Sequence, residues 1–501
     1  MKRKERDTAH ADAQGAQADD DLDEPFMLPP VVVTDDGQAA TPPVVVAVGD
    51  SLRLDVPALA LAVLVTPAPL SLLMRCWGAR PVLVSRSALR PGHCDGLLSS
   101  GDIKQLLAAG QLRYGLNVDL AAYDPSRGRR TLNIGQEVAA LEDVMRHFSV
   151  AKCSVRILHP QRYLDPLLRL VTSLERHFNT PVGCNAYWTP SGSQGFAPHF
   201  DDIDALVVQL EGRKRWRLYP PRRSAEVLPR VSSPNFSAAD VGAPLAAVVL
   251  EPGDVLYMPR GLIHEAFSLP SDAGHSLHIT LSMGQRTAWI DLLELAIPAA
   301  LRAAAEELPE LRANLPRRFL DVMGAMHSDE GDTHGLRGGI IAWSRELMQR
   351  VCDAAPLDAA ADQLGAAFQR TRAPPVGACA APVELAATHR VRLAFAGCAR
   401  MVIEDDSLVV CHPFANARDH LMAGDTGADG PDAEEPDGGA LVFPIDVAHI
   451  VEALLRTGPS LCCLEDLADE LDVDTQLMLD VAEQLAAAGV LLVAPSSEED
   501  A

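Results

Sequence analysis

No run of about 18 uninterrupted apolar residues, the minimum for a helix that crosses a bilayer, occurs in the 501-residue chain. Its most apolar stretch, Ala58 to Met74, follows Pro57 and is broken by Pro67 and Pro69, so it reads as a core helix and a turn. No membrane span and no signal peptide are expected. None of the ten cysteines forms a C-x-x-C pair. That spacing rules out zinc knuckles and thioredoxin-like redox sites, and the scattered thiols suit a reducing compartment. Cations are scarce: 43 Lys and Arg face 68 Asp and Glu, a formal charge of −25. Such a balance argues against a surface built on phosphate contacts. It serves solubility and favours a basic partner.

The residues that are present divide into stretches, and the length suits two or three domains. Residues 1–26 hold few apolar side chains, begin with KRKER (Lys2–Arg6) and end in an acidic run, the composition of a disordered tail. The basic run also reads as a nuclear address. Residues 42–150 alternate apolar stretches such as RPVLVSR with helical patterns such as SSGDIKQLLAAG, where Ser100 and Asp102 are expected at the N-cap and Gly110 at the end. This is an α/β lead-in. Residues 151–285 read as short strands between Pro/Gly turns (VGCNAYWT, ALVVQL, RWRLY, VVLEPGDVLYMP, SLHITLSM), which predicts a sandwich or barrel.

Residues 286–372 carry amphipathic helical patterns rich in Ala, Leu and Glu. Residues 376–501 start with a hairpin-like HRVRLAFAG…ARMVIEDDSLVVCHP, pass through an acidic Gly-rich insert at 423–439, and end in three helical patterns and GVLLVAP. That order predicts a winged helix. A DNA-reading winged helix carries Arg and Lys on its last helix. Leu464 to Ala501 has neither, and Asp472, Asp474, Asp480 and Glu483 stand in their place, so this module is expected to contact protein and not nucleic acid.

Chemistry concentrates in APHFDDIDALVVQLEGRKRW. Residues two apart on a strand share a face, so His199 and Asp201 point together while Phe200 and Asp202 point away. A third ligand is offered by His264, which follows a Gly-Asp turn, a strand and a Pro-Arg-Gly bend in GDVLYMPRGLIHEAFS. Two histidines and one carboxylate form the face used by non-haem Fe(II) oxygenases. Zinc hydrolysis on the same ligands is the rival chemistry. In GRKRWRLY, alternation sets Lys214 on the face of Trp216 and Leu218, with Arg213, Arg215 and Arg217 on the other. A lysine inside an apolar barrel needs an anion, and the distal carboxylate of 2-oxoglutarate is one.

These segments, with NAYWTPSGSQGF, HSLHITLSM and LPRRFLDVMG, resemble the JmjC-domain ribosomal oxygenases, bifunctional histone lysine demethylases and ribosomal histidyl hydroxylases. The resemblance runs from about Cys76 to the C-terminal winged helix and is most specific between Asn185 and Gly324. It implies a mainly β catalytic core with the double-stranded β-helix (jelly-roll) fold, a helical dimerisation region near 286–372, and a winged-helix module. By position it places the iron ligands on His199, Asp201 and His264, the 2-oxoglutarate lysine on Lys214, and substrate contacts on Asn185, Tyr187 and Ser282. Fe(II), 2-oxoglutarate and O2 are the implied cofactor and co-substrates. The implied partners are a basic ribosomal protein or histone tail and a second copy of the chain, in the nucleus or nucleolus. A non-catalytic acidic scaffold for the same basic proteins is the competing expectation.

Overall fold

Short segments with alternating apolar residues build two sheets that face each other across a narrow interior. The structure, a computed structural model, describes residues 31–34 and 57–494, except 87–91, 134, 136, 272, 331–334, 378–382, 405, 419–439 and 459. The expected disordered tail at 1–26 and the acidic insert at 423–439 lie outside the described residues. The strands of the core are β1 (Val31–Thr34), β2 (Val82–Ser85), β3 (Val118–Asp124), β4 (Gly128–Thr131), β5 (Ser154–Leu158), β6 (Gly183–Pro190), β7 (Asp204–Glu211), β8 (Lys214–Tyr219), β9 (Ala246–Leu250), β10 (Val255–Met258), β11 (Ile263–Ser268) and β12 (His275–Met283).

The larger sheet runs β1-β2-β10-β7-β12-β6-β5-β3-β4, and the smaller runs β11-β8-β9. Every pairing in them is antiparallel except β1 with β2. From β7 onward the chain passes to the smaller sheet for β8 and β9, back for β10, across for β11 and back for β12. This winding is the double-stranded β-helix expected from the sequence.

The outer face of the larger sheet, with Trp188, Leu206, Val208, Leu277, Ile279 and Leu281, packs under the helices Pro57–Val65 and Asp165–Phe178 in the main apolar cluster. Its inner face, with Ala205, Val207, Leu256 and Met258, shares a smaller cluster with Trp216, Leu218 and Leu250 of the facing sheet. Each fully buried Leu or Val contributes roughly 1.5–3 kcal/mol. The outer cluster, with far more members, therefore supplies most of the stability and leaves the interior free to hold polar groups. Strand β7 is central and covered on both faces, which explains its unbroken ALVVQL.

Two turns admit only glycine. Gly212, between β7 and β8, has φ +62° and a Cβ there would lie 1.8 Å from the His275 carbonyl oxygen. Gly261, between β10 and β11, has φ +88° and a Cβ there would lie 2.3 Å from the Glu226 carbonyl oxygen. The helix Ser100–Ala108 corrects one detail of the sequence reading. Its N-cap is Ser99, not Ser100, because Ser99 has the extended backbone and exchanges hydrogen bonds with Asp102 in a capping box.

Beyond the barrel, the helix Trp289–Glu307 packs through the small residues Ala296, Ala300 and Ala304. It leaves Trp289, Ile290, Leu293, Ile297 and Leu301 exposed. In the C-terminal module the strand Arg390–Leu393 lies between Cys462–Cys463 and Leu491–Val493. The hairpin expected to begin at His389 is instead Arg400–Glu404 with Ser407–Cys411, joined by Ala440–Pro444. The helices Ala448–Arg456, Leu464–Leu471 and Thr475–Ala487 close a core of their own.

This module is tied to the barrel by a buried joint. The side chains of Arg372 and Glu175 are each 1% exposed, with Nε and Oε2 3.7 Å apart. The Arg372 guanidinium lies 4.6 Å from the Phe368 ring centre, and Asn416 Nδ2 donates to the carbonyls of Gln369 and Arg372 at 2.9 and 2.8 Å. Among the described residues no helix is long and apolar enough to cross a membrane.

Candidate metal centre

His199 and Asp201 lie in the segment just before β7 rather than on the strand, and an isolated bridge supplies the geometry expected of a strand. The His199 amide donates to the His264 carbonyl at 3.2 Å, the His264 amide returns a bond to the His199 carbonyl at 2.8 Å, and the Gly261 amide donates to the Asp201 carbonyl at 3.0 Å. The Pro-Arg-Gly bend therefore fixes both halves of the constellation. Phe200 points the other way, into a cluster with Tyr219, Phe236, Val241 and Ile263. Asp202 accepts from Ser232 Oγ at 2.6 Å and Gln285 Nε2 at 3.1 Å, a local bond away from the histidines.

His199 Nε2 is 3.7 Å from Asp201 Oδ1, and His264 Nε2 is 3.6 Å from Asp201 Oδ2. Ligand atoms of the three residues all lie within 4.8 Å of one another, the spacing of a shared cation site. Each imidazole is oriented by its other nitrogen: His199 Nδ1 bonds the Ala197 carbonyl at 2.8 Å and His264 Nδ1 the Leu262 carbonyl at 3.0 Å. A carbonyl oxygen only accepts, so Nδ1 carries the hydrogen and Nε2 keeps its lone pair turned toward Asp201. Burial, reinforced by neighbouring His199, holds His264 well below the usual imidazole range, so it stays neutral. Two imidazoles and a carboxylate suit a divalent transition metal with open positions left over.

Deeper in the barrel Lys214 is buried, as alternation along β8 requires, while Arg215 and Arg217 are exposed. Its Nζ donates to Thr189 Oγ1 at 3.3 Å and to His278 Nδ1 at 3.5 Å, and among the described residues no carboxylate pairs with it. Burial pushes its amine down to about 7. A buried ammonium in this condition favours an incoming anion. Trp216 lies between Lys214 and His264: its ring centre is 5.9 Å from Lys214 Nζ and 5.9 Å from the His264 ring centre.

Asn185 and Tyr187 face inward on β6, opposite Thr280 and His278 of β12, and Ser282 lies opposite Gly183 and Ala205 on the same inner face. Asn185 Oδ1 is buried with no hydrogen-bond partner. Three participants were not picked out from the sequence. His278, fully buried, stacks flat on Tyr187 with ring centres 4.9 Å apart and planes at 5°. Burial, Lys214 and His264 together hold it neutral. Its signal was present in HSLHITLSM, where a polar residue interrupts the apolar strand on the face of Thr280 and Ser282. Arg156 of β5 pairs with Asp119 and hydrogen-bonds the Tyr187 hydroxyl. Arg129 of β4 lies over the Phe196 ring, its guanidinium carbon 4.4 Å from the centre. Nothing local in the sequence marks either arginine.

The JmjC domain family matches residues 156–289. The chain is 38% identical over 438 residues to Ribosomal oxygenase 1 of Rattus norvegicus, covering 83% of this chain and 69% of that protein. It is 36% identical over 402 residues to the bifunctional lysine-specific demethylase and histidyl-hydroxylase NO66 of Dictyostelium discoideum, covering 78% and 74%. The match to Ribosomal oxygenase 1 of Gallus gallus is shorter, 42% identical over 314 residues that make up 62% of this chain, and the chain spans only 51% of that protein's length. Among solved structures, the Escherichia coli ribosomal oxygenase YcfD aligns with a TM-score of 0.45 at 16% identity, covering 86% of this chain and 99% of that one.

Proposed function

The chain belongs to the JmjC-domain ribosomal oxygenase family, and on that premise we propose that it is an Fe(II)- and 2-oxoglutarate-dependent dioxygenase that hydroxylates a histidine of a ribosomal protein. One observation carries the reading: two imidazole Nε2 atoms and a carboxylate converge, with both Nδ1 hydrogens spent on backbone carbonyls, in a barrel whose buried lysine has no carboxylate partner among the described residues. Bound iron, with 2-oxoglutarate and O2, supplies the oxidising power. His199, Asp201 and His264 would hold the metal. Lys214, steadied by Thr189 and neutral His278, would pair with the distal carboxylate of 2-oxoglutarate. Asn185, Tyr187 and Ser282 would supply acceptors and donors to an imidazole, which needs one of each.

The same chemistry at an N-methyl group would demethylate histone lysines and make the protein a chromatin regulator, the first of the two activities in the name of the Dictyostelium relative. The charge of −25 suits a basic protein substrate. The exposed apolar side chains of the helix Trp289–Glu307 support a homodimer. The basic run Lys2–Arg6 supports a nuclear or nucleolar location.

With Fe(II), 2-oxoglutarate and ribosomal proteins, the chain is expected to release succinate and to add one oxygen atom to a histidine-containing peptide seen by mass spectrometry. His199→Ala and Asp201→Ala should each lose roughly ten-fold or more of the succinate release while melting like the wild type. Full turnover by either variant would sink the reading.

A further inference from the structure

Strand β7 begins with a buried carboxylate on its apolar face. Asp204 alternates onto the side of Leu206 and Val208, which pack under the covering helices, and it is only 5% exposed. A carboxylate in such a row is costly unless its oxygens are satisfied. The groups that satisfy Asp204 come from the chain that leads to His264. Tyr257 of β10 donates its hydroxyl to Asp204 Oδ1 at 2.7 Å. Burial raises the Asp204 carboxyl, and the Tyr257 hydroxyl draws it back together with the charge and the amide of Arg260, in the bend before β11.

Both sides of this tie are themselves held. The Tyr257 hydroxyl accepts from the Gly78 amide at 2.7 Å. Its ring stacks on Trp77 with centres 4.6 Å apart, and Trp77 stacks on Phe178 of the helix Asp165–Phe178 at 4.7 Å. On the other side, Met283 of β12 pairs with Asp204, and a Cβ on Gly284 would lie 3.1 Å from Asp204 Oδ2. The tie stands at the base of two limbs. One runs back from Asp204 through Asp201 to His199, and the other runs on from Arg260 to His264. Their tips are joined by the His199–His264 bridge and by the bond from the Gly261 amide to the Asp201 carbonyl. With tips and bases both joined, the limbs resist sliding past each other, the movement that would part Asp201 from His264.

We infer that Asp204 is a positioning residue for the metal centre: its buried carboxylate ties the start of β7 to Tyr257 and the Arg260 bend, and so sets the spacing of the two limbs that carry the ligands. The inference rests on the reading of His199, Asp201 and His264 as a metal site. The same strand supplies its own control. Glu211, at the end of β7 remote from the ligands, fastens the sheet to His275 and to the Ser100 amide. A role confined to holding the fold would make the two carboxylates equivalent, whereas a role in positioning makes only Asp204 matter to the metal.

The test titrates Mn(II) into the full chain after chelation, without 2-oxoglutarate or oxygen, and follows the free ion by electron paramagnetic resonance. Asp204→Asn keeps the shape and removes the charge and one acceptor. It should bind Mn(II) about ten-fold or more weakly than wild type, the scale of a lost outer support for metal ligands. Glu211→Gln should stay within about two-fold of wild type, since the sites are far apart. With Co(II), whose visible bands report ligand geometry, the spectrum should change in Asp204→Asn and superimpose on wild type in Glu211→Gln. Should Asp204→Asn fail to fold, Tyr257→Phe keeps the stack on Trp77 and removes one arm of the tie. Its Mn(II) affinity should fall by about three-fold or more.

Wild-type Mn(II) affinity and an unchanged Co(II) spectrum in Asp204→Asn would overturn the assignment, as would equal losses in Asp204→Asn and Glu211→Gln. If Tyr257→Phe has to serve instead, wild-type affinity in it has the same force. The wild type separates this inference from the reading beneath it. Mn(II) binding by wild type with no effect of the variants removes only the role of Asp204, whereas a wild type that binds no Mn(II) overturns the metal site and this inference together.

Discussion

Lys214 is the residue at which stability and function conflict most openly. Its amine is buried against Thr189, His278 and Trp216 with no carboxylate partner among the described residues, and burial pushes it down to about 7 from 10.5. Between those two values the unfolded chain binds more protons than the folded one, so this group makes the wild type more stable as pH rises from about 7 toward 10.5. Lys214→Met removes the buried charge and keeps the stem. The variant is expected to melt higher than wild type at pH 6, with the gain shrinking as pH rises through that window. It should also lose the stabilisation that 2-oxoglutarate gives the wild type, and its 2-oxoglutarate KM should rise by roughly 30-fold or more, the equivalent of about 2 kcal/mol or greater for a lost buried partner. Calorimetric melts at three pH values, with and without 2-oxoglutarate, check the stability changes, and succinate release at varied 2-oxoglutarate checks the KM. A variant less stable than wild type at pH 6 would show that the lysine already has a partner.

The next level is the strand and its ties. Glu211, at the end of β7, receives hydrogen bonds from His275 Nε2 at 2.5 Å and from the Ser100 amide at 2.8 Å, fastening the larger sheet to the start of a covering helix. Burial alone would raise its carboxyl, but these bonds outweigh burial and hold it down to about 2. Its contribution is therefore present above about 4.5, the ordinary value, and is lost as pH falls from there toward 2. Glu211→Gln should flatten the fall in urea stability between pH 5 and pH 3, while an unchanged slope would assign that fall to other carboxylates.

The neighbouring elements also show what local patterning can and cannot convey. Alternation in GRKRWRLY was sufficient to turn Lys214 inward, because facing on a strand depends only on parity along one segment. The meeting of His199 with His264 rests on a two-bond bridge outside any named strand, so the spacing hinted at it while the geometry came from the Gly261 bend. Arg129, Arg156 and Tyr187 meet through the order β4-β3-β5-β6, a set of non-local pairings that no window of sequence contains. The cap at Ser99, with Ser100 beside it, was undecidable from composition, since both residues cap equally well and only the backbone angle selects one.

At the scale of the whole molecule, the helix Trp289–Glu307 leaves a row of large apolar side chains in solvent, and Trp289 itself is 82% exposed. The proposed dimer would cover this row. Sedimentation of the wild type should give twice the chain mass of 53.6 kDa, and Trp289→Glu together with Leu293→Glu should sediment as the monomer. A wild type that is monomeric at high concentration would leave that surface to another protein.

The joint between barrel and C-terminal module has a wider implication. Glu175 and Arg372 sit in the interior with 1% of either side chain exposed, one on a helix that roofs the barrel and the other at the threshold of the module. Removing one partner of such a pair typically costs about 3–5 kcal/mol, a large part of the margin by which a domain stays folded. Arg372 itself precedes the module, and its carbonyl and that of Gln369 are held by Asn416 Nδ2 from within it. Cutting the module away would therefore leave the ion pair in place and strip only the clasp that steadies its backbone.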